Sequence, residues 1–265
     1  MNFNIHHAQT TEAPILISVP HCGTEFPAKL KDQYKKDLID APDDTDWFVH
    51  QLYDFAPAMG ITLIAAKYSR WVIDLNRDPQ SKPLYTDGRM ITALCPTTTF
   101  LDEPLYRDER IEIDPLEIER RLGNYYWPYH QQLDENLTRL KKKFGKVLLW
   151  DCHSIRQVVQ TIQKEKFPDL ILGDADGTSA SPGLIESTLG VLEHSEYSVN
   201  HNHPFKGGFI TRHFGKPSEN IHALQLEMTK INYMNDAENE YHADRANKMQ
   251  KLLQTVLSQL IEQLA

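Results

Sequence analysis

Short apolar runs alternate along this chain with segments of helical period, and this alternation limits the possible folds more than any other feature. Apolar runs bounded by turn residues predict strands at residues 14–20, 61–66, 71–75, 146–152, 170–172 and 222–228. Helical patterns occupy residues 46–59, 114–143, 182–193 and the tail from residue 237. Strands that alternate with helices predict an α/β fold, a three-layer α/β/α domain whose mixed central sheet is mostly parallel.

Residues 1–265 are expected to form a single domain, because the chain contains no solenoid repeat, low-complexity tract or Gly/Ser-rich linker. Asp114 and Pro115 predict a helix start, and Pro128 predicts a kink or division of the helix that follows. Apolar residues at helical spacing in the tail are typical of a helix face that packs on a core. They are Leu252, Leu253, Val256, Leu257, Leu260, Ile261 and Leu264.

The charge and the apolar content exclude several classes of protein. The chain has 28 Lys and Arg against 37 Asp and Glu, a formal net charge of −9, without a long block of like charge, which argues against a nucleic-acid partner. The longest apolar stretch, residues 55–66, is interrupted by Pro57 and Gly60, so we expect no membrane span. The N-terminus does not resemble a secretory signal, and the three cysteines lack CxxC spacing. These two features predict a cytoplasmic protein.

Ionisable and polar residues follow several of the predicted strands, where α/β sheets bind their ligands. His21 follows the first strand, His153 follows the strand at 146–152, and Glu227 lies near the end of the strand at 222–228. Asn76 and Arg77 follow the strand at 71–75. Two histidines at strand ends with acids nearby indicate a catalytic zinc site, which takes three protein ligands and leaves a position for water.

The neighbours of these histidines leave several roles open. The segment Asp44-Thr45-Asp46-Trp47 offers a carboxylate ligand, although an acid there also suits a helix N-cap. Asp151 is either an acid that supports His153 or a polar group at a strand end. Cys22 and Cys152 point to the opposite face from the histidines, which favours the histidines as ligands. Spacing alone leaves a cysteine nucleophile open.

The segment from Gly207 to Gly215 has paired glycines and an arginine, Arg212, after a short β-like run. The guanidinium of Arg212 could bind a carboxylate with two parallel hydrogen bonds. A structural turn with an exposed arginine explains the pattern equally well. The segment lacks the GxxxxGK spacing of a phosphate loop.

Six blocks of sequence together resemble the N-formylglutamate amidohydrolase family. In chain order they are ILISVPHCGTEFP, DTDW, SRWVIDLNRDP, LLWDCHS, NHPFKGGFITRHFG and LQLEM, and the resemblance covers about residues 14–230. The family is similar to zinc carboxypeptidases and aspartoacylase-like deacylases, so the resemblance implies a zinc-carboxypeptidase-like fold.

The resemblance implies a role for each residue at a matching position. His21 and His153 would bind one divalent ion, zinc, and Glu227 would be the general base. The third residue after His21 is Thr24, so the acidic ligand does not transfer from the carboxypeptidase pattern, and we assign it to Asp46. Asp44 and Glu25 stay open as alternatives. Asn76, Arg77 and Arg212 match the positions that bind the substrate carboxylates.

The implied reaction is hydrolysis of N-formyl-L-glutamate, a small dicarboxylate, to formate and L-glutamate, the last step of one route of histidine degradation. One alternative is a related zinc amidase or carboxypeptidase that acts on another N-acyl amino acid or a small peptide. Another is a non-catalytic carboxylate-binding protein, against which the intact His21, His153 and Glu227 argue. A homo-oligomer stays open, and the proline-containing segment 78–112 is expected to be a lid or part of an interface.

Overall fold

A seven-stranded mixed sheet runs through the protein, whose computed structural model describes residues 2–80 and 93–265. The strands are Phe3–His6 (β1), Ile15–Val19 (β2), Thr62–Ala66 (β3), Val147–Ile155 (β4), Leu170–Gly173 (β5), Val199–His201 (β6) and Ile221–Thr229 (β7). Their order across the sheet is β1-β3-β2-β4-β7-β5-β6. The predicted strands at 14–20, 61–66, 146–152, 170–172 and 222–228 are confirmed as β2, β3, β4, β5 and β7.

The centre of the sheet is parallel, and this confirms the predicted mixed, mostly parallel arrangement. The pairs β3–β2, β2–β4, β4–β7 and β5–β6 are parallel, whereas β1–β3 and β5–β7 are antiparallel. Every residue of β2 and β4 is buried, as expected for strands that are covered on both faces. The sequence patterns missed β1 and β6, which are short strands at the two edges with partly exposed residues.

Helices cover both faces of the sheet, which confirms the three-layer α/β prediction. They are Ala28–Lys31 (α1), Lys36–Asp40 (α2), Val49–Leu52 (α3), Pro115–Arg121 (α4), Trp127–Phe144 (α5), Pro182–Glu193 (α6), Phe209–Phe214 (α7) and Ala243–Leu264 (α8). Helices α3, α6 and α8 contribute to the core on one face, and α5 and α7 contribute to the core on the other. None of the described helices is both long and apolar enough to span a membrane.

The helical patterns at 114–143 and in the tail are confirmed, although the tail helix, α8, begins at Ala243 rather than at residue 237. The Asp114 side chain accepts a hydrogen bond from the backbone N–H of Leu116 at 2.8 Å and so caps α4. A π-helical segment, Leu122–Tyr126, joins α4 to α5, and Pro128 lies in the first turn of α5, where the helix divides as predicted. The apolar stripe of α8 packs on the core, with Leu253, Val256, Leu257, Leu260 and Leu264 buried.

Two predictions of local structure are wrong. Residues 71–75 form turns rather than a strand, because their polar backbone groups find other partners: the N–H of Asp74 bonds the carbonyl of Leu94, and Arg121 Nη1 donates to the carbonyl of Val72. Most side chains of this run are apolar because they are buried in the core, and not because the run forms a strand. The helix predicted at 46–59 is limited to α3 and a 3₁₀ turn, Ala56–Met59, because Phe48 has a positive φ of 62° immediately before α3.

The segment 78–112 is described only in part. Residues 81–92, which include Pro83, lie outside the described residues, so the expectation of a lid or an interface stays a prediction. In the described portion, Leu94, Cys95, Leu105 and Tyr106 are buried in the core beside α5.

Candidate active site

The carboxyl ends of β2, β4 and β7 lie side by side, and each of these strands places one ionisable residue at the same edge of the sheet. His21 lies two residues beyond β2, and His153 lies near the end of β4. Glu227 of β7 is in register with His153. All three residues are buried, with Glu227 the most exposed at 9%. The structure therefore brings these residues together, as their strand-end positions predict.

Asp46 completes a group of three residues that can hold a metal ion. Its backbone N–H donates to the carbonyl of His21 at 3.0 Å, which fixes the loop between α2 and α3 against the end of β2. Asp46 Oδ2 lies 3.2 Å from His153 Nδ1 and 3.8 Å from His21 Nδ1. One ligand atom from each of the three residues lies within 4.8 Å of the other two.

Each histidine of this group is also bound by a second buried carboxylate. Asp74 Oδ1 lies 2.7 Å from His21 Nε2, and Asp151 Oδ2 lies 3.0 Å from His153 Nε2. In the tautomer that suits these contacts, Nε2–H donates to the carboxylate and the Nδ1 lone pair is directed toward Asp46. Of the two interpretations of Asp151 from the sequence, the contact matches an acid that supports His153.

The environment of His21 fits a metal ligand. Its Nδ1 is buried and has no hydrogen-bond partner within residues 2–80 and 93–265. Burial, with a smaller contribution from Arg70, lowers the pKa of His21 to about 4, so the imidazole is neutral near pH 7. The Nδ1 of a neutral imidazole and a carboxylate oxygen are both acceptors, so in a buried site they are poorly satisfied by each other. A cation bound by both atoms would satisfy them.

His153 differs from His21 in its protonation. Burial disfavours its charged form, but Asp151 and Asp46 outweigh burial and raise the pKa of His153 well above the usual value. A metal ion that binds Nδ1 must therefore displace a proton, and affinity for the ion will depend on pH.

The alternative acidic ligands have other roles in the structure. Asp44 Oδ2 accepts hydrogen bonds from Trp71 Nε1 at 2.7 Å and from the backbone N–H of Phe100 at 3.0 Å. Glu25 Oε2 lies 3.4 Å from Lys67 Nζ, and its side chain is 58% exposed. Of the three acids considered from the sequence, Asp46 is the one that joins the two histidines.

Glu227 has the environment of a strong carboxylate base. Burial raises the pKa of Glu227 to about 8; the charge of Asp46 acts in the same direction and His153 acts against both. A carboxyl group whose pKa lies near neutrality can both accept and return a proton near pH 7.

Asn76 is buried beside His153, with its Nδ2 3.0 Å from His153 Nε2, and it is bonded to several parts of the site. Its backbone N–H donates to Asp74 Oδ1 at 2.9 Å, and its Nδ2 donates to Asp151 Oδ2 at 3.4 Å. Its Oδ1 accepts from the backbone N–H of Ile210 at 2.7 Å, at the start of α7. A Cβ on Gly208 would lie 2.2 Å from Asn76 Nδ2, so this close approach requires glycine. Asn76 thus connects both supporting carboxylates to α7.

The two arginines predicted to bind substrate lie in the turn that carries Asn76 and in α7, which Asn76 bonds. Arg77 Nη2 is 3.8 Å from Asp74 Oδ2, and its side chain is 18% exposed. Arg212 lies in α7, partly buried, and its Nε donates to the carbonyl of Gly207 at 2.9 Å. Arg212 is therefore part of a helix that Asn76 holds against the site, rather than of an exposed turn.

Sequence reasoning missed two further residues of this site, Arg70 and Asp74. Arg70 is 6% exposed, its Nη2 donates to Asp74 Oδ2 at 2.6 Å, and its guanidinium lies 4.7 Å from the ring centre of Phe100. Because the sequence pattern predicted a strand at 71–75, the ion pair of Arg70 and Asp74 was not anticipated. An acid within an apolar run, four residues after an arginine, was the available signal.

The cysteines near the histidines are buried, free thiols. Cys22 Sγ donates to the carbonyls of Val19 and Ala66 at 3.4 Å each. Burial raises the pKa of both Cys22 and Cys152 far above the usual range. A thiolate nucleophile at either position is therefore disfavoured.

Comparisons with known proteins agree with this architecture. Residues 13–234 match the family model described as N-formylglutamate amidohydrolase. The chain is 42% identical over 250 residues to N-formylglutamate deformylase of Pseudomonas putida and 41% identical to that of Pseudomonas aeruginosa, each match covering 94% of this chain and 92% of the relative. The crystal structure of N-formylglutamate amidohydrolase from Ralstonia eutropha superposes with a TM-score of 0.81 at 28% identity, covering 97% of both chains. A gene product of Agrobacterium tumefaciens shares the fold, with a TM-score of 0.74 at 18% identity over 98% of this chain and 96% of that one.

Proposed function

The chain belongs to the N-formylglutamate amidohydrolase family, and from this membership and the site we propose that it hydrolyses N-formyl-L-glutamate to formate and L-glutamate. We further propose that His21, Asp46 and His153 hold one divalent ion, zinc. The observation that carries this proposal is the buried Nδ1 of His21, which has no hydrogen-bond partner in the described part of the chain and lies 3.8 Å from Asp46 Oδ2. Two imidazoles and one carboxylate are a ligand set typical of catalytic zinc.

Hydrolysis of a formamide needs an electrophile at the carbonyl oxygen and a base for the attacking water. His21, Asp46 and His153 would hold the zinc ion, which would supply Lewis acidity toward the formyl carbonyl and lower the pKa of water toward ~7. Asp74 and Asp151 hold the two imidazoles in the orientation that directs both Nδ1 atoms toward Asp46. The ligand geometry is thus set before substrate binds.

Glu227 is the proposed general base. It takes a proton from water as the oxygen adds to the formyl carbon, and it returns that proton to the amide nitrogen as the C–N bond breaks. Formate and the free amine of glutamate are left. The raised pKa of Glu227, which results first from burial, suits both transfers because neither proton acceptance nor donation is strongly opposed near neutrality.

Arg77 and Arg212 are the proposed ligands of the α-carboxylate of the substrate. Each guanidinium can bind a carboxylate through two charge-assisted hydrogen bonds. Local positive charge is needed because the chain carries a net charge of −9, which opposes the approach of a dianion. Asn76, which is buried, acts by fixing α7 and the two supporting carboxylates.

The proposed reaction would serve as the last step of one route of histidine degradation, and we propose that it takes place in the cytoplasm. The free, buried thiols of Cys22, Cys95 and Cys152 are consistent with a reducing compartment.

The direct test is to incubate purified protein with N-formyl-L-glutamate and measure both products. Formate and L-glutamate released in equal amounts support the proposed function. N-acetyl-L-glutamate is the matched comparison, and a small acyl pocket would disfavour it by only ~1–3 kcal/mol, because it differs by one methyl group. No hydrolysis of N-formyl-L-glutamate by zinc-loaded protein would contradict the proposal.

A further inference from the structure

A buried lysine, Lys230, lies at the same edge of the sheet as the proposed zinc ligands. It is the first residue after β7, three positions beyond Glu227, and it is 2% exposed. The sequence patterns did not indicate it. A fully buried ammonium is rare unless it is paired, because transfer of an isolated charge from water to a protein interior is costly.

The described part of the chain gives this ammonium one hydrogen-bond acceptor, the backbone carbonyl of Asp43, which lies 2.9 Å from Nζ. An ammonium has three N–H donors, so two remain for other partners. No carboxylate of residues 2–80 or 93–265 lies within 4 Å of Nζ.

The three acids in the neighbouring loop already have partners of their own. The carboxylate of Asp43 accepts from Arg156 Nε at 2.8 and 2.9 Å. The carboxylate of Asp44 accepts from Trp71 Nε1 and Phe100 N. Asp46 is a proposed zinc ligand. Within the described residues, Lys230 therefore has no carboxylate paired with it alone, although burial lowers its pKa and the charges of Asp43, Asp46 and Asp44 oppose that effect.

Lys230 also lines a small cavity, about 20 Å³ in volume, which has room for a ligand oxygen. Its wall includes Asp44, Phe100, Ser154 and Arg156. Asp44 lies two residues before Asp46, and the charge of Asp46 acts on Lys230, so the cavity lies near one of the proposed zinc ligands. Lys230 thus places a buried positive charge, with N–H donors left for a ligand, at the wall of this cavity.

We propose that Lys230 binds the side-chain carboxylate of the substrate and so selects glutamate over amino acids with neutral side chains. This inference rests on the proposed function, because it assigns the second carboxylate of N-formyl-L-glutamate. Arg77 and Arg212 take the α-carboxylate at α7, and Lys230 takes the distal carboxylate at the end of β7. The two carboxylates are thus bound by separate elements of the fold.

The test compares N-formyl-L-glutamate with N-formyl-L-glutamine, which has the same shape but no side-chain charge. Lys230→Gln removes the ammonium and keeps an N–H donor for the Asp43 carbonyl. We expect the ratio of kcat/KM for N-formyl-L-glutamate to kcat/KM for N-formyl-L-glutamine to fall by about 30-fold or more, mainly through a higher KM for N-formyl-L-glutamate. Loss of one partner of a buried charge pair weakens binding by about this factor. Lys230→Arg, which keeps the charge, should retain most of the preference.

An exposed lysine on α8 provides the matched control. Lys248 has a side chain that is 64% exposed, and Lys248→Gln should leave the substrate ratio unchanged. A wild-type ratio in Lys230→Gln, or an equal loss with both substrates, would overturn the inference and leave Lys230 as a support for the Asp43 loop. If Lys230→Gln does not fold, Lys230→Arg decides: loss of the preference there overturns the inference. Wild-type protein inactive on both substrates would instead contradict the proposed function itself.

Discussion

His21 and Asp74 are joined by a 2.7 Å hydrogen bond between Nε2 and Oδ1, although 53 positions separate them in the chain. The same carboxylate accepts from Arg70 Nη2 at 2.6 Å and from the backbone N–H of Asn76 at 2.9 Å. One buried charge therefore connects the end of β2 to the turn that carries Asn76 and Arg77. The orientation of a proposed zinc ligand and the position of the proposed substrate residues depend on the same side chain.

Asp74→Asn should weaken zinc binding by about 10–100-fold, because an amide can still accept from His21 Nε2–H but no longer increases the basicity of the imidazole. Competition with a chromophoric chelator measures the affinity. Asp176→Asn is the control, since the Asp176 side chain is 56% exposed and pairs with Lys206 on the surface. Wild-type zinc affinity in Asp74→Asn would show that the Asp74 carboxylate charge does not support a ligand.

Glu227→Gln should lower kcat by about 10²–10⁴-fold and leave the zinc content unchanged, because the amide cannot take a proton from water. Steady-state kinetics and metal analysis of the same preparation separate the two effects. The exposed Glu193, at the end of α6, provides the control variant Glu193→Gln. A fall in kcat of less than about tenfold would exclude Glu227 as the base.

Arg212→Ala should raise KM by about 10–100-fold for both N-formyl-L-glutamate and N-formyl-L-glutamine, since both carry the α-carboxylate. This pattern differs from the one expected of Lys230→Gln, which distinguishes the two substrates. Arg139→Ala is the control, because the Arg139 side chain is 46% exposed and pairs with Glu12, which is not a proposed site residue. An unchanged KM would remove Arg212 from the site.

Stability should fall as the pH is lowered, in part because His130 of α5 is buried as the neutral form. Its ring stacks on Tyr126 with centres 4.1 Å apart, and Nε2–H donates to the carbonyl of Leu75 at 2.8 Å. Burial lowers the pKa of His130 to about 4 in the folded protein. The unfolded chain therefore binds the proton first, so the contribution is complete above pH ~6.5 and is lost between there and pH ~4.

Urea unfolding at pH 7 and pH 5 tests this linkage. The His130 contribution should differ by about 2 kcal/mol between the two pH values. His130→Gln cannot titrate, so the free energy of unfolding of this variant should depend less steeply on pH, even if it is lower at pH 7. Equal pH dependence in the variant and the wild type would show that His130 is not the group responsible.

The sequence patterns predict most of the sheet and the edge of it where the proposed site residues meet. Strands β2, β4 and β7 are continuous apolar runs, because both of their faces are buried, and the polar residues that follow or end such runs stand out. His21, His153 and Glu227 were therefore identifiable from position alone. Asp46 was identifiable only as one of several acids, because its selection over Asp44 depends on how the loop folds against His21.

Other features depend on contacts that local sequence does not encode. The run 71–75 is as apolar as a strand, but Arg121 and Leu94 supply the partners of its backbone, and both lie distant in the chain. Asp74 and Arg70 were missed for that reason. Lys230 was missed because nothing around it in sequence indicates that its charge is buried; the loop at 43–46 and the turn at Phe100 enclose it.

The most direct test of the proposed zinc site is to measure formate release from N-formyl-L-glutamate together with the metal content of the protein. Chelation should abolish release as the bound zinc falls, and restored zinc should recover both in proportion, at one ion per chain. His153→Ala should lose zinc and activity together, since it removes one of the three ligands. Release that continues in metal-free protein would contradict the proposal that His21, Asp46 and His153 form the catalytic zinc site.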